Sequence, residues 1–476
     1  MSALLTPDIC VIGAGSAGLV TAAGASQLGA ATVLIEAERM GGDCLNTGCV
    51  PSKALLAAAN AATAYRRAAA FGLAQPAPTV DFARVQAHVR GVIEAIAPND
   101  SQERFEGLGV QVIRARARFT GPREVAAGDL RIRARRFVIA TGSHPALPPQ
   151  PDLAGVPYLT NENVFDLDRL PAHLLVLGGG PIGCELAQAF RRLGAKVTMV
   201  EMARLLPKDD PELVAVLRRA LIEDGIALHE GRKVVRVEPS SAGIALTIES
   251  ENGGGGDRRL EGSHLLICAG RKPGVADLGL EAAGIAFSEK GVQVDARLRT
   301  TNRRVYAAGD VIGGPQFTHL AAYHAGIVIR NALFRLPAKA DISALPWVTY
   351  TDPELAHVGL SEAAARAQGP IRLLRWPLAE NDRAQGEHLE HGSIKIVTTP
   401  AGRILGADIV APGAGEMIHF WTLAVKQRLK IGAVAGMIAP YPTLSEIGKR
   451  AAGNFFLPKL FSDRSRGLVR LLARLG

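Results

Sequence analysis

Two cysteines, Cys44 and Cys49, stand five apart in the run GGDCLNTGCVPSK. They bracket a tight Asn-Thr-Gly turn and lead into an apolar-rich helix expected over Ala54–Ala62. Thiols so placed can cycle between dithiol and disulfide. The N-terminus of the following helix carries partial positive charge on its unpaired N–H groups, which favours a thiolate. A structural disulfide is the bland alternative, but a chain with a cytosolic character seldom uses one. Half a metal site is the other. No second Cys/His pair lies at ligand spacing, so no metal is expected.

The segment before the thiols must position them. DICVIGAGSAGLVTAAGASQLGAATVLIE reads as strand, glycine turn, helix, strand and acid. Ile9 to Ile12 is a buried strand. Gly13, Gly15 and Gly18, with Ser16 among them, supply the tight turn, the close approach to a pyrophosphate and the helix-on-strand contact. Val33 to Ile35 is the next strand, and Glu36 ends it, placed to hydrogen-bond a ribose hydroxyl. LLVLGGGPIGCELAQAFRRLGAKVTMVE repeats the device with Gly178, Gly180, Gly183 and Glu201. The repeat stands too far along to be the same unit read twice. Two dinucleotide sites imply two dinucleotides, most simply a flavin and a nicotinamide. An acid such as Glu201 accepts hydrogen bonds from a free ribose diol and repels a 2′-phosphate, so NADH is favoured over NADPH. Arg204, three residues on, is the side chain that could reach a phosphate instead.

These motifs do not stand alone. FVIATG at Phe137–Gly142, ICAGRKP at Ile267–Pro273, TNRRVYAAGD at Thr301–Asp310 and VTYTDPELAHVGLSE at Val348–Glu362 follow in order. The chain, over essentially its whole length, resembles the pyridine-nucleotide-disulfide oxidoreductase family, the group of glutathione reductase, dihydrolipoamide dehydrogenase and mercuric reductase. The resemblance implies an α/β fold: two Rossmann-like domains, for FAD and NAD(P), and a C-terminal α+β dimerisation domain. The expected division is 1–150 and 275–338 for FAD, 151–274 for NAD(P), and 339–476 for dimerisation. His144–Pro157 reads as a linker, Asn252–Gly256 as a hairpin tip, and Arg84–Ile96, with a solvated His88, as a helix.

The resemblance also implies roles. Hydride passes from nicotinamide to flavin, and two electrons then pass to the disulfide. Cys49 is the thiolate facing the flavin and Cys44 the thiol that exchanges with a disulfide or dithiol substrate, a lipoylated protein among the candidates. Lys53 sits near the flavin and pairs with Glu185. Gly42, Thr141, Gly142, Gly309, Asp310 and His319 join the first glycine turn in holding FAD, and Gly270 joins the second in holding NAD. The chain departs from the family at IAPYPTLSEIGKR. Dehydrogenases carry a His-Pro-x-x-x-Glu motif there, contributed by the partner subunit of a homodimer. Here Pro442 and Glu446 are in place, but the histidine position is Tyr441. A phenol is a poor general base at neutral pH. Mercuric reductases resemble the chain in that tyrosine, but they end in a cysteine pair, and here no cysteine follows Cys268. The readings are therefore a dihydrolipoamide-dehydrogenase-like enzyme, a mercuric-reductase-like reductase of metals or electrophiles, or a redox-sensing flavoprotein.

Composition suits this. The 476 residues suffice for about three domains. With 48% hydrophobic and 21% charged residues, the chain reads as an ordinary globule. The first strand begins within ten residues of Met1, leaving no room for a signal peptide, so a cytoplasmic location is expected. Cys10, Cys184 and Cys268 read as apolar filler. A net charge of +9 without aromatic-basic interleaving excludes nucleic acid as an expected partner. Leu468, Leu471, Leu472 and Leu475 form a helical stripe, with Arg466, Arg470 and Arg474 on other faces. Docking on its own protein is the expected fate of that stripe. A membrane surface or an acidic partner is the alternative.

Overall fold

The structure is a computed structural model that describes residues 3–73, 76, 79–250, 257–389 and 391–475. The chain divides into two compact units. One holds Met1–Gly179, Ala189–Met202 and Arg232–Asp341; the other holds Gly180–Gln188, Ala203–Gly231 and Ile342–Gly476.

The first unit is built on a five-stranded parallel sheet, ordered Val305–Ala307, Arg136–Ile139, Ile9–Ile12, Thr32–Glu36, Val110–Arg114. Its central strands are continuous apolar runs because both faces are covered. Ile9, Val11, Leu34 and Val138 point to one face, beneath the helices Ser16–Gln27 and Thr318–Ala332. Cys10, Ile12, Val33, Ile35, Phe137 and Ile139 point to the other, where Phe119, Val125 and Ile132 of a smaller sheet meet them. Cys10 is thus buried filler, as expected. The two helices lie so close that a Cβ on Gly24 would stand 2.6 Å from Ile329 Cδ1. That contact carries the start of the second helix, at Thr318, to the C-terminal edge of the sheet, where ligands of such folds bind.

The second glycine turn follows His173–Leu177, which pairs in parallel with Lys196–Glu201 and His264–Ile267. The hairpin tip expected at Asn252–Gly256 lies outside the described residues; the strands on either side, Gly243–Ile248 and Arg258–Gly262, pair antiparallel.

The second unit contains a five-stranded antiparallel sheet, ordered Pro346–Thr349, Glu354–Gly359, Ile404–Ala411, Ser393–Thr398, Arg372–Pro377. Helix Ala414–Lys426 packs Ile418 and Trp421 against it. A charge is buried here too. Lys395, 4% exposed, meets Asp210 at 2.7 Å, Glu362 at 2.6 Å and Glu212 at 3.2 Å.

The terminal helices Leu457–Leu460 and Asp463–Leu472 bury no residue. The leucine stripe forms, but Leu468, Leu471, Leu472 and Leu475 all remain exposed, so the expected docking on the chain's own surface does not occur. Among the described residues, no helix is long and apolar enough to cross a membrane.

Candidate functional site

The cysteine loop is pressed onto the first glycine turn. Gly41 donates its N–H to the Ala14 carbonyl at 3.0 Å, and a Cβ on Gly42 would stand 2.7 Å from Gly15 Cα. A short helix, Gly42–Asn46, then carries Cys44, and a longer one begins at Cys49 itself. That helix runs Cys49–Arg67, five residues earlier than its alanine-rich centre suggested. Cys49 therefore occupies the first helical position, where the backbone dipole favours an anion.

Both thiols are free; Cys49 is exposed and Cys44 half-buried. Their chemistry is split. Cys49 is lowered from 9.0 to about 6, because the Cys44 thiol donates to it, the Thr318 hydroxyl stands 3.3 Å away and the Lys53 charge lies nearby. Desolvation and the Asp43 carboxylate oppose the shift without reversing it. Cys44 is pushed upward, chiefly because its proton is held against Cys49. One thiolate and one thiol is the arrangement near neutral pH.

A hydrogen-bonded chain fixes this loop. Asp43 accepts from Thr47 Oγ1 and Asn161 Nδ2, each at 2.8 Å, and pairs with Arg271 at 3.2 Å. Arg271 donates to Asn161 Oδ1 at 3.2 Å, to Ser143 Oγ at 2.8 Å and to the Ser143 carbonyl at 2.9 Å. Ser143 Oγ donates to Asp310 at 2.6 Å. The carboxyl of Asp310 is raised above its ordinary range by burial, against that hydrogen bond and the Arg271 charge. Thr141 Oγ1 donates to the Gly274 carbonyl at 2.7 Å, and the Gly274 N–H donates to the Gly142 carbonyl at 2.9 Å. Gly142, Gly270 and Gly309 all have positive φ, which glycine alone takes at little cost.

The resemblance places His319 among the residues that hold FAD. In the structure His319 is exposed and stacks on Phe317 at 5.2 Å. The buried histidine is His324, whose Nδ1 accepts from the Gly309 N–H at 3.3 Å and whose pKa burial lowers. Thr318, Asn161, Arg271 and His324 were missed. Arg271 lies inside ICAGRKP, but nothing local says what it or His324 faces.

The two glycine turns are built alike. Gly13 donates to the Ile35 carbonyl and Gly178 to the Val200 carbonyl, at 2.8 and 2.9 Å. Both have strongly positive φ, and a Cβ on either would stand 2.4 Å from a carbonyl oxygen, of Ala140 and Cys268 respectively. Each strand-end acid caps its turn: Glu36 accepts from the Ala14 N–H and Glu201 from the Gly179 N–H, both at 2.6 Å. A Cβ on Gly18 would strike the Gly13 carbonyl at 1.8 Å. Gly15 and Gly180 differ. A Cβ on Gly15 would meet only Gly42 Cα at 4.0 Å, and one on Gly180 would meet nothing within 4 Å. The protein's own packing does not require glycine there. Open space over a turn at the start of a helix, Ser16–Gln27 or Pro181–Arg192 with Gly183 inside it, fits a pyrophosphate.

In the second unit, Glu185 is buried and accepts from the Tyr350 N–H at 2.9 Å. Tyr441 is exposed; its hydroxyl donates to Asp382 at 2.8 Å, which holds the phenol above its ordinary pKa. Glu446 pairs with Arg450 at 2.9 Å. Arg204 donates to the Pro207 and Asp209 carbonyls at 2.7 and 3.2 Å. No group of three or more potential metal ligands occurs among the described residues.

Known proteins share this architecture. Residues 7–325 match the profile of the pyridine nucleotide-disulphide oxidoreductases, and residues 345–452 match that family's dimerisation domain, which marks a homodimer. Mercuric reductase of Streptomyces lividans is 37% identical, over 94% of this chain and 96% of its own. Dihydrolipoyl dehydrogenase of Thermus scotoductus is also 37% identical, over 93% and 95%. Among solved structures, LpdA of Mycobacterium tuberculosis matches with a TM-score of 0.85 at 29% identity, covering 94% of this chain and 99% of its own. The HOCl-induced flavoprotein disulfide reductase RclA of Escherichia coli, as its Cu(II) complex, matches at 0.84 and 28% over the same shares. The chain therefore belongs to the pyridine nucleotide-disulphide oxidoreductase family, as an FAD-dependent enzyme that works with NAD(P)H.

Proposed function

We propose that the enzyme exchanges electrons between NADH and a small disulfide or dithiol of the lipoyl type, through FAD and the Cys44–Cys49 pair. The observation that carries this is the split between the two thiols, with Cys49 near 6 and Cys44 pushed up. Bound FAD supplies the two-electron link between nicotinamide and thiols. Glu36, the Gly15 turn and Asp310 hold it; Glu201 and the Gly180 turn hold the nicotinamide nucleotide. Arg204 is engaged by backbone carbonyls, which supports NADH over NADPH. By the resemblance, Lys53 is the cation beside the flavin. The functional division proposed is 1–150 and 275–338 for FAD, 151–274 for the nicotinamide nucleotide and 339–476 for dimerisation.

In the reducing direction, the reduced pair presents Cys49 as thiolate and Cys44 as thiol. Cys44 gives up its proton and attacks one sulfur of the substrate disulfide; the S–S bond breaks, and one substrate thiol leaves with a proton. The Cys49 thiolate then attacks Cys44 Sγ, restores the intrachain disulfide and releases the second sulfur as a thiolate, which takes its proton from solvent. The substrate gains two electrons from the pair, one proton from Cys44 and one from water. The step that needs help is deprotonation of Cys44, and the partner subunit's copy of the Tyr441–Glu446 segment is where that help would come from.

Steady-state turnover with NADH against lipoamide, glutathione disulfide, quinones and Hg(II) tests the reading. Lipoamide should be the best of the disulfides. Hg(II) turnover above lipoamide would favour the mercuric-reductase-like reading, which Tyr441 supports. No NADH-dependent turnover of any acceptor would leave a redox sensor. The terminal helix, with exposed leucines opposite Arg466, Arg470 and Arg474, is the segment suited to an anionic membrane surface. Flotation with anionic vesicles, with and without residues 457–476, tests that contact.

A further inference from the structure

We infer that a pocket at the far edge of the parallel sheet binds a short phosphate chain of the diphosphate or triphosphate kind. Five arginines line one cavity of about 270 Å³: Arg136, Arg297, Arg299, Arg303 and Arg335. Arg136 opens the strand Arg136–Ile139 and pairs in register with Ile9, whereas the glycine turn follows Ile12 at the other end of the neighbouring parallel strand. The pocket thus lies at the opposite edge of the sheet from the dinucleotide turn.

The arginines are not explained by the protein's own acids. Asp295 neutralises Arg299, whose Nε and Nη2 both donate to Asp295 Oδ2, at 2.9 and 2.7 Å. Among the described residues, Arg136, Arg297, Arg303 and Arg335 make no ion pair. Arg136 Nη1 donates to the Arg135 carbonyl at 3.0 Å, but its Nε is buried with no acceptor. A buried charged donor without a partner is costly and rare. The buried Tyr306 completes the wall; burial raises its phenol pKa, against the Arg136 and Arg299 charges beside it. Asn331 Nδ2 donates to the carbonyls of Arg297 and Ala338, tying the arginine-bearing loop to the last turn of helix Thr318–Ala332.

The chemistry selects the ligand. Planar guanidinium groups match phosphate oxygens two at a time, and four unpaired cations call for more than one negative charge. The cavity lies just below the ~300–1,000 Å³ typical of drug-sized ligands, so it suits a compact polyanion better than a whole nucleotide. Without an anion, the clustered cations repel one another. A bound phosphate chain relieves that repulsion and gives the buried Nε an acceptor.

The test is calorimetric titration of the FAD-loaded enzyme with tripolyphosphate and diphosphate, with sulfate at matched ionic strength as reference. Arg303 and Arg335 are exposed and unpaired, so Arg303→Gln and Arg335→Gln leave the fold intact. Saturable binding of one tripolyphosphate per chain, tighter than sulfate and weakening steeply with salt, is expected. Each variant should weaken it about fivefold, the scale of one exposed charge contact. In the absence of the anion, the variants should melt no lower than wild type, because each removes repulsion, and their NADH-dependent turnover should be unchanged. Binding no better than that of sulfate, or binding that survives the double variant, overturns the assignment.

Discussion

Thr318→Val is the most direct test of how Cys49 is ionised. The substitution keeps the shape of the side chain and removes the hydroxyl 3.3 Å from Cys49 Sγ. With Cys49 lowered to about 6, about 90% of it is thiolate at pH 7; at its ordinary 9.0 the share would be about 1%. A hydrogen bond to a charged group contributes ~1.5–3 kcal/mol, and the low end applies to an exposed thiol. At about 1.4 kcal/mol per unit, losing it should raise the pKa by about one unit and cut the thiolate at pH 7 to about half. The assay is the long-wavelength thiolate–flavin absorbance of the two-electron-reduced enzyme, followed from acid to alkaline pH. Cys49→Ser should abolish the band, and Cys44→Ser should keep it. The same pKa has a consequence for stability under reducing conditions. A folded pKa below the unfolded one means that the folded state binds fewer protons between about 6 and 9.0. Stability from Cys49 is then present in full above the unfolded value and disappears as pH falls through the folded one. Cys49→Ser should flatten that slope. A wild-type midpoint near 9, or an unmoved midpoint in Thr318→Val, would refute the reasoning.

Tyr441→His places an imidazole beside Asp382 and restores the His-Pro-x-x-x-Glu pattern. Lipoamide turnover should rise about 10²-fold or more in steady-state assays, with flavin reduction by NADH unaltered; no change in turnover means another base assists Cys44. Glu201→Ala removes the acid that caps the second glycine turn, so the ratio of kcat/KM for NADH over NADPH should fall. A wild-type preference for NADPH would contradict the role given to that acid. Lys395→Met leaves three carboxylates around a buried position and should cost about 3 kcal/mol in urea unfolding, the low end for breaking a buried pair because Glu212 is half exposed. A cost under about 1 kcal/mol would mean that water screens the cluster.

The parts of the fold that the sequence made legible are those whose constraints are local. Gly13 and Gly178 must be glycine because of their own φ and an adjacent carbonyl, so the pattern survives in one dimension. The continuous apolar strand Ile9–Ile12 is local in the same sense. The start of the cysteine helix was not legible, because Gly48 caps it without a side-chain acceptor, leaving no Ser, Thr, Asp or Asn as a signal. Thr318, Asn161 and Arg271 were hidden for another reason. Their partners stand more than a hundred residues away, and only the packing of Ser16–Gln27 on Thr318–Ala332 and the pairing of Arg271–Pro273 with Ser143–Pro145 bring them together. The terminal stripe shows the same limit from the other side: periodicity foretold the helix, but the docking expected of its leucines does not occur.

The contact between Gly42 and Gly15 has an evolutionary and engineering consequence. One glycine belongs to the thiol loop and the other to the dinucleotide turn, and there is no room for a methyl group at Gly42. The thiol loop cannot be transplanted without its mate, since a foreign loop bearing any side chain at position 42 would strike the backbone of the dinucleotide turn. Redox loop and nucleotide turn are therefore inherited as a single block. A designer who wishes to vary this enzyme has freedom at the arginine-lined edge, at the tail and at Tyr441, but must carry Ile9 to Lys53 as one indivisible cassette.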